Sequence, residues 1–296
     1  MAIRNGHIDQ RMIIHLWGVR GTLPVPGRKT LRYGGNTSCV TLTVPGQYFL
    51  IFDAGTGIKE LSNFLVRKNH FPISAKILIS HPHYDHINGL PFFAPLYMPE
   101  NDFEIFGSCH GGHDIDMLIS GQMDEIYFPV TISEFTARLS FRTVREERFN
   151  IGALEIETIF LEHPGLCLGY RVEYQGRSFC YLTDNELYPE NSRFYNPEKV
   201  ERLVAFLKNA DLALIDATYT DEEYITKIGW GHSAVSRTVD LAERAGVKQF
   251  CLYHHDPGQQ DRDIDGKNRQ ARIILKAHRS KTRCITGREG DTIVLK

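Results

Sequence analysis

His81-Pro82-His83-Tyr84-Asp85-His86 places three imidazoles and a carboxylate within one short segment, directly after the apolar run Ile77-Leu78-Ile79. Neutral imidazole and carboxylate suit zinc, manganese or iron, and no thiolate lies beside them to make a closed structural zinc site. A strand ending near Ser80 releases the chain into a turn, so His81 and His83 can converge on one ion. Asp85 and His86 open the next helix and can reach a second ion beside the first. A chance scatter of 13 histidines over 296 residues is a poor explanation for so dense a pattern at a strand-to-helix junction.

The whole chain sets bounds on that reading. Hydrophobic residues at 42 % and charged residues at 24 % are ordinary for a globular protein. A net charge of −2 argues against a general electrostatic grip on nucleic acid, so no stable nucleic-acid partner is expected. Six cysteines lie scattered without a CxxC, several inside apolar runs such as Phe179-Cys180-Tyr181, which reads as buried reduced thiols. Residues 1–10 are polar and lack a signal-peptide apolar region. No run approaches the ~20 apolar residues that span a bilayer. The expected location is the cytoplasm, with no membrane partner.

Short β-rich runs at 13–17, 40–44 and 48–52 precede Asp53-Ala-Gly-Thr-Gly57, which hands over to a helix reaching about residue 67. A strand over 76–80 follows. Residues 91–99 are Pro-punctuated and poorly suited to regular structure. Residues 107–149 read as an elaboration, with a helix over 114–121 and a loop around 127–129. Strands at 154–160, 168–174 and 178–182, a helix at 197–209 and a strand at 212–215 repeat the logic of the first half. A helix at 233–245, a strand at 249–253, a helix ending near 278 and a strand at 292–295 complete the chain. Two similar blocks of alternating strands and helices predict one αββα domain over 1–296, with two mixed sheets face to face and helices outside.

Four further residues lie where strands open onto loops, the usual place for sites on such scaffolds. They are His163, Asp184, His254 and, at a helix start, His232. Singly, each is more often a loop residue or an N-cap. Together with the first motif and Asp53-Ala-Gly-Thr-Gly57, they resemble the metallo-β-lactamase fold superfamily over about residues 13–257. Gly231-His232-Ser233, the stretch 210–218 and Gly169-Tyr170-Arg171 look like its ribonuclease Z and cyclic phosphodiesterase branch.

The resemblance implies that His81, His83 and His163 bind one ion. It implies that Asp85, His86 and His254 bind a second, with Asp184 bridging both and Asp53 orienting the motif from behind. His254 and His255 are adjacent at a strand end and should point to opposite sides; His254 is assigned by its position, with His255 as the alternative. Catalytic roles fall to His232, Asp85 and Asp216, the last orienting His232 and raising its pKa. The implied cofactors are two divalent metal ions, zinc first, manganese or iron as alternatives. The implied reaction is hydrolysis of a small phosphodiester, a cyclic nucleotide or related cyclic phosphate, by a metal-bridging hydroxide. Ribonuclease Z enzymes insert a basic tRNA-gripping arm between the third-motif histidine and the bridging aspartate; here only two short strands fit between His163 and Asp184. An RNA 3′-end endonuclease and a thioester or lactone hydrolase of the same fold are the alternatives.

Other features have competing readings. Arg20 is a phosphate contact or a surface arginine, and Gly34-Gly35-Asn36 is a turn before it is a phosphate cradle. His110 and His113 lack a carboxylate partner and read as a loop or pocket rim. Arg269, Arg272, Lys276 and Arg279 share one helix face, which solvation explains. Met117, Leu118, Met123, Ile126, Tyr127 and Phe128 make the elaboration apolar enough for a homodimer contact or lid, with core packing as the rival reading.

Overall fold

The computed structural model describes residues 11–126 and 128–296. The polar residues 1–10 and Tyr127 lie outside the described residues. The first block contains β1 (Met12–Gly18), β2 (Cys39–Val44), β3 (Tyr48–Phe52), α1 (Gly57–Lys68), β4 (Ser74–Leu78), α2 (Tyr84–Ile87), β5 (Asp102–Gly107), α3 (Ile115–Gly121) and β6 (Arg138–Thr143). The second contains β7 (Arg148–Ile151), β8 (Leu154–Leu161), β9 (Cys167–Tyr174), β10 (Arg177–Leu182), α4 (Pro197–Leu207) and β11 (Leu212–Asp216). It continues through α5 (Asp221–Tyr224), α6 (Val235–Arg244), β12 (Gln249–Tyr253), α7 (Asp261–Ala277) and β13 (Arg283–Thr286). The last strand, β14 (Thr292–Leu295), returns to pair with β1.

Two seven-stranded sheets result, in the orders β14-β1-β2-β3-β4-β5-β6 and β13-β12-β11-β10-β9-β8-β7. Each has an antiparallel half and a parallel half, the latter closed by helical crossovers. The alternation of β1 shows why the sheets stack: Met12, Ile14 and Leu16 are buried, while Ile13, His15 and Trp17 between them are only partly so. The inner faces share one apolar layer, in which Phe52 packs edge-on against Tyr170 and Phe179, with ring centroids 5.9 and 5.4 Å away. A second apolar cluster joins α4, α6 and α7 to the outer face of the second sheet, and a third joins α1 and α3 to the first. These layers are the expected αββα sandwich.

Four strands escape the sequence reading: β5, β6, β7 and β13. β7 and β13 have only four residues each. β6 lies inside the stretch set apart as an elaboration, yet it is the edge strand of the first sheet, paired in parallel with β5. Only Leu139 and Phe141 of its residues are large and apolar, and none of its residues is fully buried, so an edge strand leaves little hydrophobic signal. The strand expected over 76–80 ends at Leu78, and residues 79–83 form the site loop. In the apolar elaboration Met123 is core, whereas Met117 and Ile126 are exposed. All six cysteines are free thiols. Among the described residues no helix is long and apolar enough to cross a membrane.

Candidate metal centre

One edge of the sandwich collects the ends of β3, β4, β8, β10, β11 and β12, and they carry in turn Asp53, His81, His163, Asp184, Asp216 and His254. Three of these residues leave their strands through left-handed backbone: Asp53 at φ 57°, Asp184 at φ 28° and His254 at φ 58°. Non-glycine residues reach this region at a steric cost, and such strain concentrates at functional sites. The turns swing side chains from both sheets toward a common point.

Two donor groups form there. In the first, His83 Nδ1 stands 2.9 Å from His81 Nε2 and 3.1 Å from His163 Nε2. Asp184 Oδ2 lies 3.6 Å from each of those two Nε2 atoms. In the second, Asp85 Oδ2 lies 3.0 Å from His86 Nε2 and 3.2 Å from His254 Nε2. Asp184 Oδ1 is 3.1 Å from both of these nitrogens. Asp184 thus turns one oxygen to each group. His254 joins the cluster and His255 does not: its ring lies against Tyr33 on the other side.

The far side of each ring sets which nitrogen faces inward. His86 Nδ1 donates to Asp53 Oδ2 at 2.7 Å, and His163 Nδ1 donates to the Gly231 carbonyl at 2.9 Å. His254 Nδ1 has Thr218 Oγ1 at 3.1 Å. Each leaves the Nε2 lone pair pointing inward, as outer partners do for ligating histidines. Asp53 is wholly buried behind the motif and also accepts from Ser80 N–H (2.7 Å), Ser80 Oγ (2.9 Å) and Tyr181 Oη (2.8 Å).

Cations fit this donor set. His86 Nε2 is buried without a hydrogen-bond partner although two carboxylate oxygens lie near it. Burial would push the His86 pKa down, but Asp85, Asp184 and Asp53 outweigh it and hold it well above the usual imidazole value. The second group therefore attracts positive charge, which a divalent ion would supply in place of that proton. Burial, with the neighbouring histidines, lowers the pKa of His81 well below the ordinary value and that of His83 to about 4. His163 is also lowered, chiefly by burial, so the first group offers neutral imidazoles.

Beside the two groups stands His232, its Nε2 4.0 Å from Asp184 Oδ2. Its Nδ1 donates to the buried Asp216 Oδ2 at 2.8 Å. Burial opposes the charge on His232, but Asp216 overrides burial and raises the pKa to about 9; burial raises and His232 lowers that of Asp216, with a net fall. Asp216, His232 and His254 are close enough to form a third donor group. The Nε2 of His232 stands farther from Asp184 than those of His81, His86, His163 and His254, at 4.0 Å against 3.1–3.6 Å.

Further residues of the site carry weak sequence signals. Arg20 is neither a phosphate contact nor a surface residue: it is fully buried and donates from Nε to Gly34 O (2.9 Å) and from Nη1 to Gln259 O (2.7 Å) and Asp256 O (3.2 Å). This anchors the segment in which Gly21 lies against the His254 ring and Thr22 N–H donates to Asp85 Oδ2 at 2.7 Å. Glu186 is buried and accepts from Gly229 N–H (2.8 Å), Gly231 N–H (2.7 Å) and Tyr224 Oη (2.7 Å), which shapes the loop before His232. Arg269, Arg272, Lys276 and Arg279 are all exposed on or just beyond α7.

A family profile described as "Beta-lactamase superfamily domain" matches residues 48–255, and the chain belongs to this superfamily of metallo-β-lactamase-fold hydrolases. A ribonuclease Z of Lactococcus lactis subsp. cremoris (strain SK11) is 27 % identical over 256 residues, covering 69 % of this chain and 77 % of the relative. The metallo-β-lactamase fold protein YhfI of Bacillus subtilis superposes with a TM-score of 0.71 at 16 % identity, covering 96 % of this chain and 100 % of that one. Yeast PDE1 superposes with a TM-score of 0.71 at 14 % identity, covering 96 % and 99 %.

Proposed function

We propose that the protein is a dinuclear-metal phosphodiesterase that hydrolyses a small phosphodiester, a cyclic nucleotide or related cyclic phosphate. The observation that carries this reading is Asp184, which turns one oxygen to each of two donor groups while His232, held by Asp216, stands beside them. His81, His83 and His163 would hold one divalent ion, Asp85, His86 and His254 the other, and Asp184 both. Zinc suits this set, and so do manganese and iron. Such a pair of ions supplies charge neutralisation and an activated water to a phosphoryl centre.

The chain's own residues do the rest. Nδ1 of His232 is committed to Asp216, so the proton on Nε2 faces the site and can pass to a phosphoryl or leaving-group oxygen. Asp216 holds that ring in place and keeps it charged. Thr22 N–H fixes the Asp85 carboxylate, to which we assign a catalytic as well as a ligand role.

A second reading, an RNA 3′-end nuclease, draws on the ribonuclease Z relative. Against it, His163 and Asp184 are joined by β9 and β10 with a tight turn at Gln175-Gly176, and no arm stands between them. The near-neutral charge points the same way. We place the protein in the cytoplasm, in keeping with six unpaired cysteines.

The test is hydrolysis of bis(p-nitrophenyl) phosphate, a cyclic-nucleotide panel and a tRNA precursor by zinc- or manganese-loaded protein, with His232→Ala alongside. Turnover of small diesters that falls about 10²-fold or more in the variant, with metal content unchanged, is expected. Cleavage of the precursor alone would favour the nuclease. Inactivity on all three with two ions bound would shift the assignment to thioesters or lactones.

A further inference from the structure

The Cys109-His110-Gly111-Gly112-His113 segment closes a tight hairpin at the edge of the metal centre. His110 N–H donates to His113 O (2.9 Å) and His113 N–H to His110 O (3.0 Å). Gly111 and Gly112 take φ 58° and 83°, the pair of positive values that such a two-residue turn requires. The His110 ring is held 6.4 Å, centroid to centroid, from that of His83, the most exposed residue of the first donor group. It also rests on Gly165, two residues beyond His163, where a Cβ would stand 1.9 Å from His110 Cε1. The glycine makes room for this imidazole.

His110 Nδ1 is buried and has no hydrogen-bond partner. Nε2 has none among the described residues either, but it is not buried. A buried lone pair without a partner is less costly than a buried N–H without one, so the proton belongs on Nε2, the nitrogen open to solvent. Rings run in sequence from His110 through His83 and His163 to His232, with successive centroids 6.4, 5.0 and 5.2 Å apart. The two imidazoles outside the pair of groups that Asp184 serves thus stand at opposite ends of the series, each with an N–H free for substrate.

We propose that His110 is a substrate-binding residue, whose Nε2–H donates to an oxygen on the ester arm that His232 does not serve. This rests on the phosphodiesterase reading and deepens it: both ester oxygens of a cyclic nucleotide sit on one ribose, and His110 would donate to an oxygen of that sugar on the side away from His232, a contact that an apolar alkyl or aryl ester could not make.

The experiment is a double-mutant cycle of His110→Ala and Gly165→Ala in zinc-loaded protein, with His110→Gln as the variant that keeps an N–H. His110→Ala should raise KM for cyclic nucleotides about tenfold, the worth of one such hydrogen bond, while KM for bis(p-nitrophenyl) phosphate stays put. Gly165→Ala, which displaces the ring, should do the same, and the double variant should be no worse than His110→Ala. His110→Gln should recover part of the loss, with two ions per chain throughout. Equal losses on both substrate types, or multiplying losses in the double variant, would overturn the proposal. Calorimetric binding of adenosine 3′-monophosphate needs no turnover. Unchanged affinity in His110→Ala would sink this inference alone, whereas inactive unmutated protein would sink the phosphodiesterase reading.

Discussion

His232 and Asp216 show how two residues can set an ionisation state that neither has alone. Burial by itself would leave His232 neutral, and the carboxylate at 2.8 Å reverses that. The sign of the linkage follows. The folded pKa of about 9 lies above the ordinary 6.5, so the stabilisation from this pair is complete below 6.5 and is lost as pH rises through about 9. Activity that needs the proton should decline on the same alkaline limb. In Asp216→Asn the anion is gone and burial dominates, so that limb should move to below about pH 7, with kcat at pH 8 down about 10²-fold. A pH–rate profile decides it: an unmoved alkaline limb would remove Asp216 from the mechanism.

At the scale of elements, the loops at the strand ends matter more than the strands. The connection from β1 to β2 reaches across to the second sheet, tied there by Arg20, and lays Gly21 on the ring of His254. A Cβ at Gly21 would stand 2.1–2.6 Å from three atoms of that ring. The Gly21→Ala variant must therefore shift either the imidazole or the loop that holds Asp85 through Thr22 N–H. Metal analysis after dialysis should find its content falling from about two ions per chain toward one. The first donor group, built by other loops, should keep its ion. Two tightly held ions in Gly21→Ala would show that the segment is only a lid.

Across the whole molecule, the centre joins the two sheets: β4 of one and β8, β10 and β12 of the other each lead into it. Divalent ions held there would bind the folded chain and not the unfolded one, and so would stabilise it by mass action, about 2.7 kcal/mol at a free concentration one hundred times Kd. Chelation should lower the unfolding midpoint by several degrees and zinc should restore it, as followed by calorimetry. A midpoint indifferent to chelator in protein shown to be metal-free would mean that the buried carboxylates and imidazoles satisfy one another without cations.

Much of this was legible in the chain itself. His81 through His86 form a local pattern, and alternating strands and helices specify an αββα sandwich because each element needs a face to bury. His163, Asp184 and His254 could be picked out by their positions after apolar runs. Between His254 and His255 the sequence offered only position as a guide; in the fold it is His254, on left-handed backbone, that joins the donor groups. Nor could local sequence show β6, whose edge position leaves few apolar residues to count. Arg20, Glu186 and His110 have an even weaker signature. Their partners, Gln259, Gly231 and Gly165, are far away in the chain, and a hydrogen bond or a ring on a glycine depends on which backbones the fold brings together. Chemistry carried by neighbouring residues is written in the sequence; chemistry made by distant ones exists only once the two sheets have packed.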